Sequence, residues 1–281
     1  MKRVSRLQII VVHLGLLLVT AMVLYPVLWV IKMALDPSQS FSMGLSPIPE
    51  TVSLDNFRNV IGTTDSQGWL FGRQLFNSVV VSGFTAFLGL LFSTTAAYGL
   101  SRWQFPGKDR TISAFLITQM FPGVVMLIPL YILLDKLSLL DSLAGLALVY
   151  STTSVPFSVW MLKGYFDTIP QDLEEAAALD GCSRLQTFLW VILPLARPAL
   201  AVVALFSFMT AWNEFILAAT LMGDQRSYTL PVVLQRYVDN YGTEWGNFAA
   251  GSILVSIPVM VLFFALQKHF VEGLTAGSVK G

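Results

Sequence analysis

Few residues in this 281-residue chain combine a reactive type with a neighbour that would activate it. His13 and His269 have no nucleophile placed beside them, so packing or interfacial roles suffice for both. Cys182 is the only cysteine, which excludes an internal disulfide, and no zinc-type spacing occurs. The nearest approach to a phosphate-cradling loop is Gly107-Lys108. It has Arg102 where the first glycine should stand and Asp109 where a hydroxyl is needed. No catalytic residue, no metal site and no ATP hydrolysis by this chain itself are therefore expected. One cluster differs in kind: Trp212-Asn213-Glu214 sits inside an apolar stretch, where a charge is costly and normally faces a bundle interior or a watery cavity. A ring beside an amide and a carboxylate suits sugar, the ring covering an apolar face while the polar groups take hydroxyls. It suits equally a helix-to-helix hydrogen bond or a contact with a second membrane subunit.

The elements that must position these residues are apolar. Hydrophobic residues make up 55% of the chain and charged residues 12%, with mean hydropathy +0.68; soluble domains carry about 25% charged residues. Lys+Arg and Asp+Glu balance at 17 each, so nucleic-acid binding has no electrostatic support. Six runs approach the ~20 residues that cross a bilayer: Ile9–Ile31, Gln74–Leu100, Thr111–Leu134, Ser142–Leu162, Ala199–Leu221 and Phe248–Gln267. The first outruns the apolar core of a cleaved signal and is expected to stay as a span. The fold class is an all-α integral membrane bundle of six transmembrane helices embedded in a lipid bilayer. Eleven Lys/Arg fall in the connections on the N-terminal side against six opposite. The bias places both termini and the Lys163–Pro198 connection in the cytoplasm. Three parts are expected: residues 1–73, a first span and an extracytoplasmic segment; 74–270, the core with its loop at 163–198; and 271–281, a short cytoplasmic tail. Ser151-Thr152-Thr153-Ser154 before Pro156 reads as a static kink or a gate, with a hydroxyl re-satisfying a freed carbonyl.

The most informative stretch is Thr168–Pro194. Thr168 and Gln171 are spaced as a capping box, Pro170 fits a first turn, and Asp172, Glu174 and Glu175 suit the positive end of a helix dipole. Gly181 stops that helix, and Ser183 with Gln186 opens a second one. Leu185, Phe188, Leu189 and Ile192 then recur at i, i+3, i+4, i+7 as one apolar stripe, ended by Pro194 and Pro198. Ala176, Ala177 and Ala178 leave a small face that lets another backbone come close. Such a loop is either gripped by a soluble partner or lies as an amphipathic helix on the membrane surface.

Glu175-Ala176-Ala177, three residues, Gly181, then Val191-Ile192-Leu193-Pro194 resembles the EAA loop of binding-protein-dependent ABC-importer permeases, with Val191 as a conservative departure from isoleucine. Gln119-Met120-Phe121-Pro122, Lys163-Gly164-Tyr165-Phe166, Ser227-Tyr228-Thr229-Leu230, Trp245-Gly246-Asn247-Phe248-Ala249-Ala250 and the ending Gly273–Gly281 extend the likeness to the maltose/maltodextrin (MalG) type, from about Leu75 onward. The resemblance implies an ABC type I importer transmembrane domain in the bacterial inner membrane, transporting a maltose-type sugar. Trehalose or glycerol phosphate are alternative substrates, and a stand-alone secondary transporter is the rival class. It implies that Glu174, Glu175, Ala176, Ala177, Asp180 and Gly181 contact or shape the joint with a cytoplasmic ATPase. It implies that Thr275, Ala276, Gly277, Ser278 and Lys280 reach between two ATPase copies, against the plain alternative of a frayed terminus. The partners it implies are a second, MalF-like permease, two MalK-like ATPase subunits carrying ATP-Mg, and an extracytoplasmic sugar-binding protein. The cofactor expectation for this chain is none.

Overall fold

Long apolar runs become long helices, and where proline or a polar cluster interrupts a run the helix breaks. The computed structural model describes residues 6–41, 46, 48–239 and 242–277; for residues 6, 239 and 269–277 it describes the backbone alone. The helices are α1 Arg6–Leu35, α2 Asp55–Ile61, α3 Leu70–Arg102, α4 Lys108–Thr118, α5 Gly123–Lys136, α6 Leu143–Phe166, α7 Asp172–Leu179, α8 Arg184–Thr187, α9 Leu193–Leu195, α10 Arg197–Trp212, α11 Ile216–Leu221, α12 Leu230–Gln235 and α13 Trp245–Gly277. A π-turn, Phe188–Ile192, joins α8 to α9. Two short antiparallel pairs, β1 Thr64–Asp65 with β2 Gly68–Trp69 and β3 Val238–Asp239 with β4 Gly242–Thr243, were not expected from the sequence. They are too brief to alter the helical class.

Among the described residues four helices are long and apolar enough to cross a membrane: α1, α3, α6 and the Trp245–Lys268 part of α13. The number rises to six if each of two bent helix pairs forms one span. The first, second, fourth and sixth expected spans are thus single helices. The third is not. It breaks between α4 and α5 with a bend of 97°. Pro122 adopts an extended conformation, φ −61° and ψ 126°, before α5. Proline has no N–H and disfavours helix in the residue before it. The α4 end tightens accordingly, with the Gln119, Met120 and Phe121 amides donating only three residues back. The fifth expected span also divides, at Asn213–Phe215 between α10 and α11, and α10 is bent by 80° from the segment that precedes it. By contrast α6 runs unbroken through Pro156. The hydroxyls of Thr152, Thr153 and Ser154 bond back to carbonyls three residues earlier, those of Ser151 and Ser158 four residues earlier, so the polar stretch does not break the helix.

The chain divides into two compact units, residues 1–72 with 233–257, and 73–232 with 258–281. In the first, Asn56 joins the end of α1 to its neighbours, donating to the Ala34 and Asp36 carbonyls and accepting from Gln39 at 2.7 Å. Gln39 in turn accepts from the Asn247 amide at the start of α13. In the second, two buried apolar clusters stack along α3, α6 and α10. One holds Leu146, Tyr150, Ala211 and Leu221; the other holds Tyr98, Leu162, Phe166, Phe188 and Ile192. Lipid is as apolar as these side chains, so close packing and hydrogen bonds, rather than escape from water, hold such helices together.

Gly89 shows how close that packing is. A methyl group there would lie 2.7 Å from Ser207 Oγ and 3.5 Å from Ser154 Oγ. Gly89→Ala is expected to destabilise the bundle by about 1–3 kcal/mol through overpacking. Thermal unfolding of the purified chain should show the loss, and adding Ser207→Gly should restore most of it.

Candidate functional site

The loop after α6 is anchored before it is presented. Asp167, just past the helix, pairs with Lys163 at 2.6 Å and accepts from Ser101 Oγ at 2.7 Å. Arg102, the last residue of α3, is the hub. Its guanidinium donates to the Phe166 carbonyl at 2.9 Å, the Ile169 carbonyl at 3.1 Å, Ser101 Oγ at 2.9 Å, and the Glu174 carboxylate. Glu174 also accepts from Tyr98 Oη at 2.8 Å. One carboxylate on α7 is therefore locked to the end of α3 by an ion pair and a phenol, over the Tyr98–Phe188 ring contact at 4.6 Å. The Arg102 side chain is 7% exposed and that of Glu174 19%, a geometry where charge-assisted bonds count for more than at the surface.

The boundaries of α7 are set partly as its sequence implies. Gly181 takes φ +86°, the Cys182 amide bonds the Ala177 carbonyl at 2.9 Å, and the Gly181 amide bonds the Ala178 carbonyl at 3.1 Å. That is the paired closure in which glycine holds the left-handed position. Ser183 and Gln186 form the expected reciprocal capping box. Thr168 does not cap α7. Its hydroxyl donates to the Tyr165 carbonyl at 2.7 Å, the helix starts at Asp172, and the backbone carbonyl of Gln171 accepts from Glu174 and Glu175 instead. The stripe Leu185, Phe188, Leu189, Ile192 is also split. The π-turn rotates the register, burying Phe188 and Ile192 while Leu185 and Leu189 stay exposed. Pro194 is the cause: it cannot donate and would crowd the Trp190 carbonyl four residues back, and one wider turn relieves both.

What faces outward is small, acidic and apolar. Glu175, Ala176, Asp180 and Gly181 are exposed, and Leu179 is 90% exposed. Ala177 points into the chain's own core, so its small size serves internal packing. Beside this face is a cleft of about 280 Å³ whose walls include Trp103, Glu174, Glu175, Cys182 and Arg184.

The second candidate cluster divides. Trp212 is buried and stacks on Phe208 at 5.3 Å. Glu214 lies in the break after α10 rather than within a continuous helix. Its carboxylate accepts from Tyr150 Oη at 2.6 Å and from the backbone amides of Leu217 and Ala218 at 2.9 and 3.1 Å, capping α11. Asn213 is exposed. Of the tail residues, Thr275, Ala276 and Gly277 fall in the described backbone of α13, while Ser278 and Lys280 lie outside the described residues.

With this geometry in view, the comparisons are decisive. The family model for the binding-protein-dependent transport system inner membrane component matches residues 89–275. The maltose/maltodextrin transport system permease MalG of Salmonella typhimurium is 40% identical over 99% of this chain and 97% of its own length. This chain belongs to that permease family. The galactooligosaccharides transport system permease GanQ of Bacillus subtilis is 38% identical over 96% of the chain and 94% of its own length. Among solved structures, a bacterial ABC transporter importing the polysaccharide alginate superposes with TM-score 0.77 at 24% identity. The match covers 96% of this chain and all of that one. The methionine transporter MetNI gives TM-score 0.57 at 19% identity over 75% of this chain. Those two likenesses show the fold, that of an ABC-importer transmembrane domain. The chain is thus a multi-pass inner-membrane permease subunit, a non-catalytic member of its transporter.

Sequence reasoning missed Arg102, Tyr98 and Leu179. An arginine closing an apolar helix is a readable signal only once its partner is known, and Glu174 lies 72 residues away. Leu179 beside three alanines was the clearer sign. Replacing Arg102 by Met leaves Glu174 half-buried without its cation and the Ile169 carbonyl without its donor, while the Phe166 carbonyl keeps the Ile169 amide. The expected cost is about 2–4 kcal/mol, read as a lower melting temperature and faster protease cleavage between α6 and α8, with Glu174→Gln milder because Tyr98 retains its acceptor. For Asp167, burial pushes the carboxyl up, but hydrogen bonds from Lys163 and Ser101 and their positive surroundings hold it below the ordinary carboxylate value. Its contribution is therefore complete above about pH 4 and is lost as pH falls through the lowered value. Melting temperatures taken from pH 8 to pH 3 should show an acid limb that Asp167→Asn flattens.

Proposed function

We propose that this permease is one of two transmembrane subunits of an ATP-driven importer for an oligosaccharide, with malto-oligosaccharide as the first candidate. The observation that carries the reading is the α7 loop: locked inward through Glu174 and Arg102, it turns Glu175, Ala176, Leu179 and Asp180 outward. The 40% identity to a maltose/maltodextrin permease along nearly the whole chain supports the substrate. The 38% identity to a galactooligosaccharide permease favours another oligosaccharide as the second reading.

The mechanism follows from the parts. Both termini and the α7 loop face the cytoplasm, as the Lys/Arg bias argues. A cytoplasmic ATPase, two MalK-like copies holding ATP-Mg, grips the outward face of α7 and the cleft beside it, with Thr275–Gly281 reaching between the copies. Nucleotide-driven closure moves α7, and the Arg102 hub passes that displacement to α3 as a rigid connection. A MalF-like companion completes the cavity. An extracytoplasmic binding protein delivers sugar near 36–73 or 222–247. Of the Trp212, Asn213 and Glu214 cluster, Asn213 and Glu214 border the pathway at the break after α10, while Trp212 packs behind them on Phe208. Binding on both sides biases one two-state rocking of the bundle.

Affinity purification of the tagged chain from detergent, with mass spectrometry of what accompanies it, tests the assembly. The wild type should bring an ATPase and a second permease; Glu175→Lys with Leu179→Glu, both on the exposed face, should lose the ATPase and keep the permease. Vesicles loaded with ATP and supplied with binding protein should take up labelled maltotriose. A wild-type chain that purifies alone and stable would sink the coupling reading in favour of a stand-alone transporter.

A further inference from the structure

At the N-terminal end of α3, three side chains take hold of the segment Gln225–Leu230. Gln74 Nε2 donates to the Gln225 carbonyl at 3.0 Å, and Asn77 Nδ2 donates to the Arg226 and Tyr228 carbonyls at 2.6 and 3.1 Å. Ser78 Oγ accepts from the Leu230 amide at 2.7 Å. The turn just before this segment is clamped as well. Asp141, in the left-handed region at φ +55°, accepts from the Gly223 and Asp224 amides at 2.5 and 3.0 Å.

These contacts use only half of what the two amide side chains offer. Gln74, Asn77 and Thr229 are each at most 2% exposed. Yet Gln74 Oε1, Asn77 Oδ1 and the Thr229 hydroxyl have no hydrogen-bond partner in the protein. Among the described residues five buried side-chain polar atoms stand so, and three of the five meet at this one joint. Turning the amides over gives no relief, because each oxygen would then face the carbonyls that its nitrogen now serves. Bare polar atoms gathered in a buried interface oppose folding unless something bonds them.

Gln74 and Asn77 are one turn apart on the same helix face. Thr229 lies between Tyr228 and Leu230, whose backbones Asn77 and Ser78 hold, so it is pinned to that face too. Two acceptors and one hydroxyl that can donate are complementary to a single water, which donates twice and accepts once. Three hydrogen bonds are the usual complement of a buried water. A metal ion fits less well. Calcium takes six to eight oxygens, carboxylates among them, whereas these three atoms are neutral. The acids nearest in the fold, Asp141 and Asp224, already accept backbone amides.

We propose that Gln74, Asn77 and Thr229 form an internal water site, and that this water completes the attachment of Gln225–Leu230 to α3. It bridges atoms of the helix and of the segment that make no hydrogen bond to each other. The site stands apart from the import reading and from the identity of any transported ligand.

Thr229→Val separates the alternatives by sign, since valine matches threonine in shape and lacks only the hydroxyl. A hydroxyl bonded to water is lost at a cost, and the segment opens more often. A bare buried hydroxyl is lost at no cost or with a gain. The readout is trypsin cleavage after Arg226 in the full chain in nanodiscs, with Arg58, whose side chain is 77% exposed, as the control site. Cleavage that tracks local opening should be about fivefold faster at Arg226 in Thr229→Val, the effect of one ordinary hydrogen bond, and unchanged at Arg58. A rate at Arg226 equal to or below that of the wild type would overturn the site. Should both positions speed up, Gln74→Leu combined with Thr229→Val decides. Either substitution alone already loosens the water, so together they should accelerate cleavage at Arg226 by less than the product of the single effects. A simple product would overturn the site. Sodium, potassium, choline and calcium chlorides should all give the wild type one rate. A rate that one cation slows in the wild type and not in Thr229→Val would overturn the water in favour of that ion.

Discussion

A polar group at membrane depth has no water to bond, and each irregular feature of this structure answers that constraint. The break between α4 and α5 leaves amides that bond three residues back, and Gln119 reaches across to α6. The break after α10 is closed by Glu214, which caps α11 with a carboxylate and holds α6 through Tyr150. Hydroxyls along α6 return to their own helix carbonyls. A charge that reads from sequence as functional is thus already employed in making a broken helix possible.

The same logic separates an exposed ion pair from a shielded one. An exposed pair such as Arg58–Asp55, with side chains 77% and 61% exposed, contributes about 0–1 kcal/mol. Arg102 with Glu174 is largely shielded, and its guanidinium also holds two backbone carbonyls at the start of the loop. Moving α7 without moving α3 would break several charge-assisted bonds together, each worth about 1.5–3 kcal/mol. A joint built this way holds α7 firmly to α3.

Apolar run length made the spans legible, and four of the six are single helices near the expected bounds. The two that broke carried their own warnings. Pro122 stood in the third run and Asn213-Glu214 in the fifth, yet a hydropathy window averages over both. Local closures were legible because their partners lie within a few residues: Gly181 and the Ser183–Gln186 box are set by short-range geometry. Thr168 failed for the complementary reason, since its hydroxyl had a nearer acceptor on the preceding helix. The π-turn was invisible because the i, i+3, i+4 pattern presumes an unbroken 3.6 period. Arg102 with Glu174, Tyr150 with Glu214 and Gln119 with Thr153 span 72, 64 and 34 residues. No single-sequence periodicity encodes such pairs.

These pairings also account for what remains on offer to partners. The acids that sequence marks most strongly, Glu174 and Glu214, both turn inward and are satisfied by this chain. Outward, α7 shows Asp172, Glu175 and, just past its end, Asp180 around alanines and Leu179, while the cleft at the end of α10 shows one amide, one hydroxyl and an aromatic ring beside the bonded Glu214. A protein partner can be recognised by an apolar anchor with flanking charge, since burying Leu179 removes about a full side chain from water. The division of charge between interior and surface therefore leaves α7 with an apolar anchor and flanking carboxylates that this chain's own folding does not use.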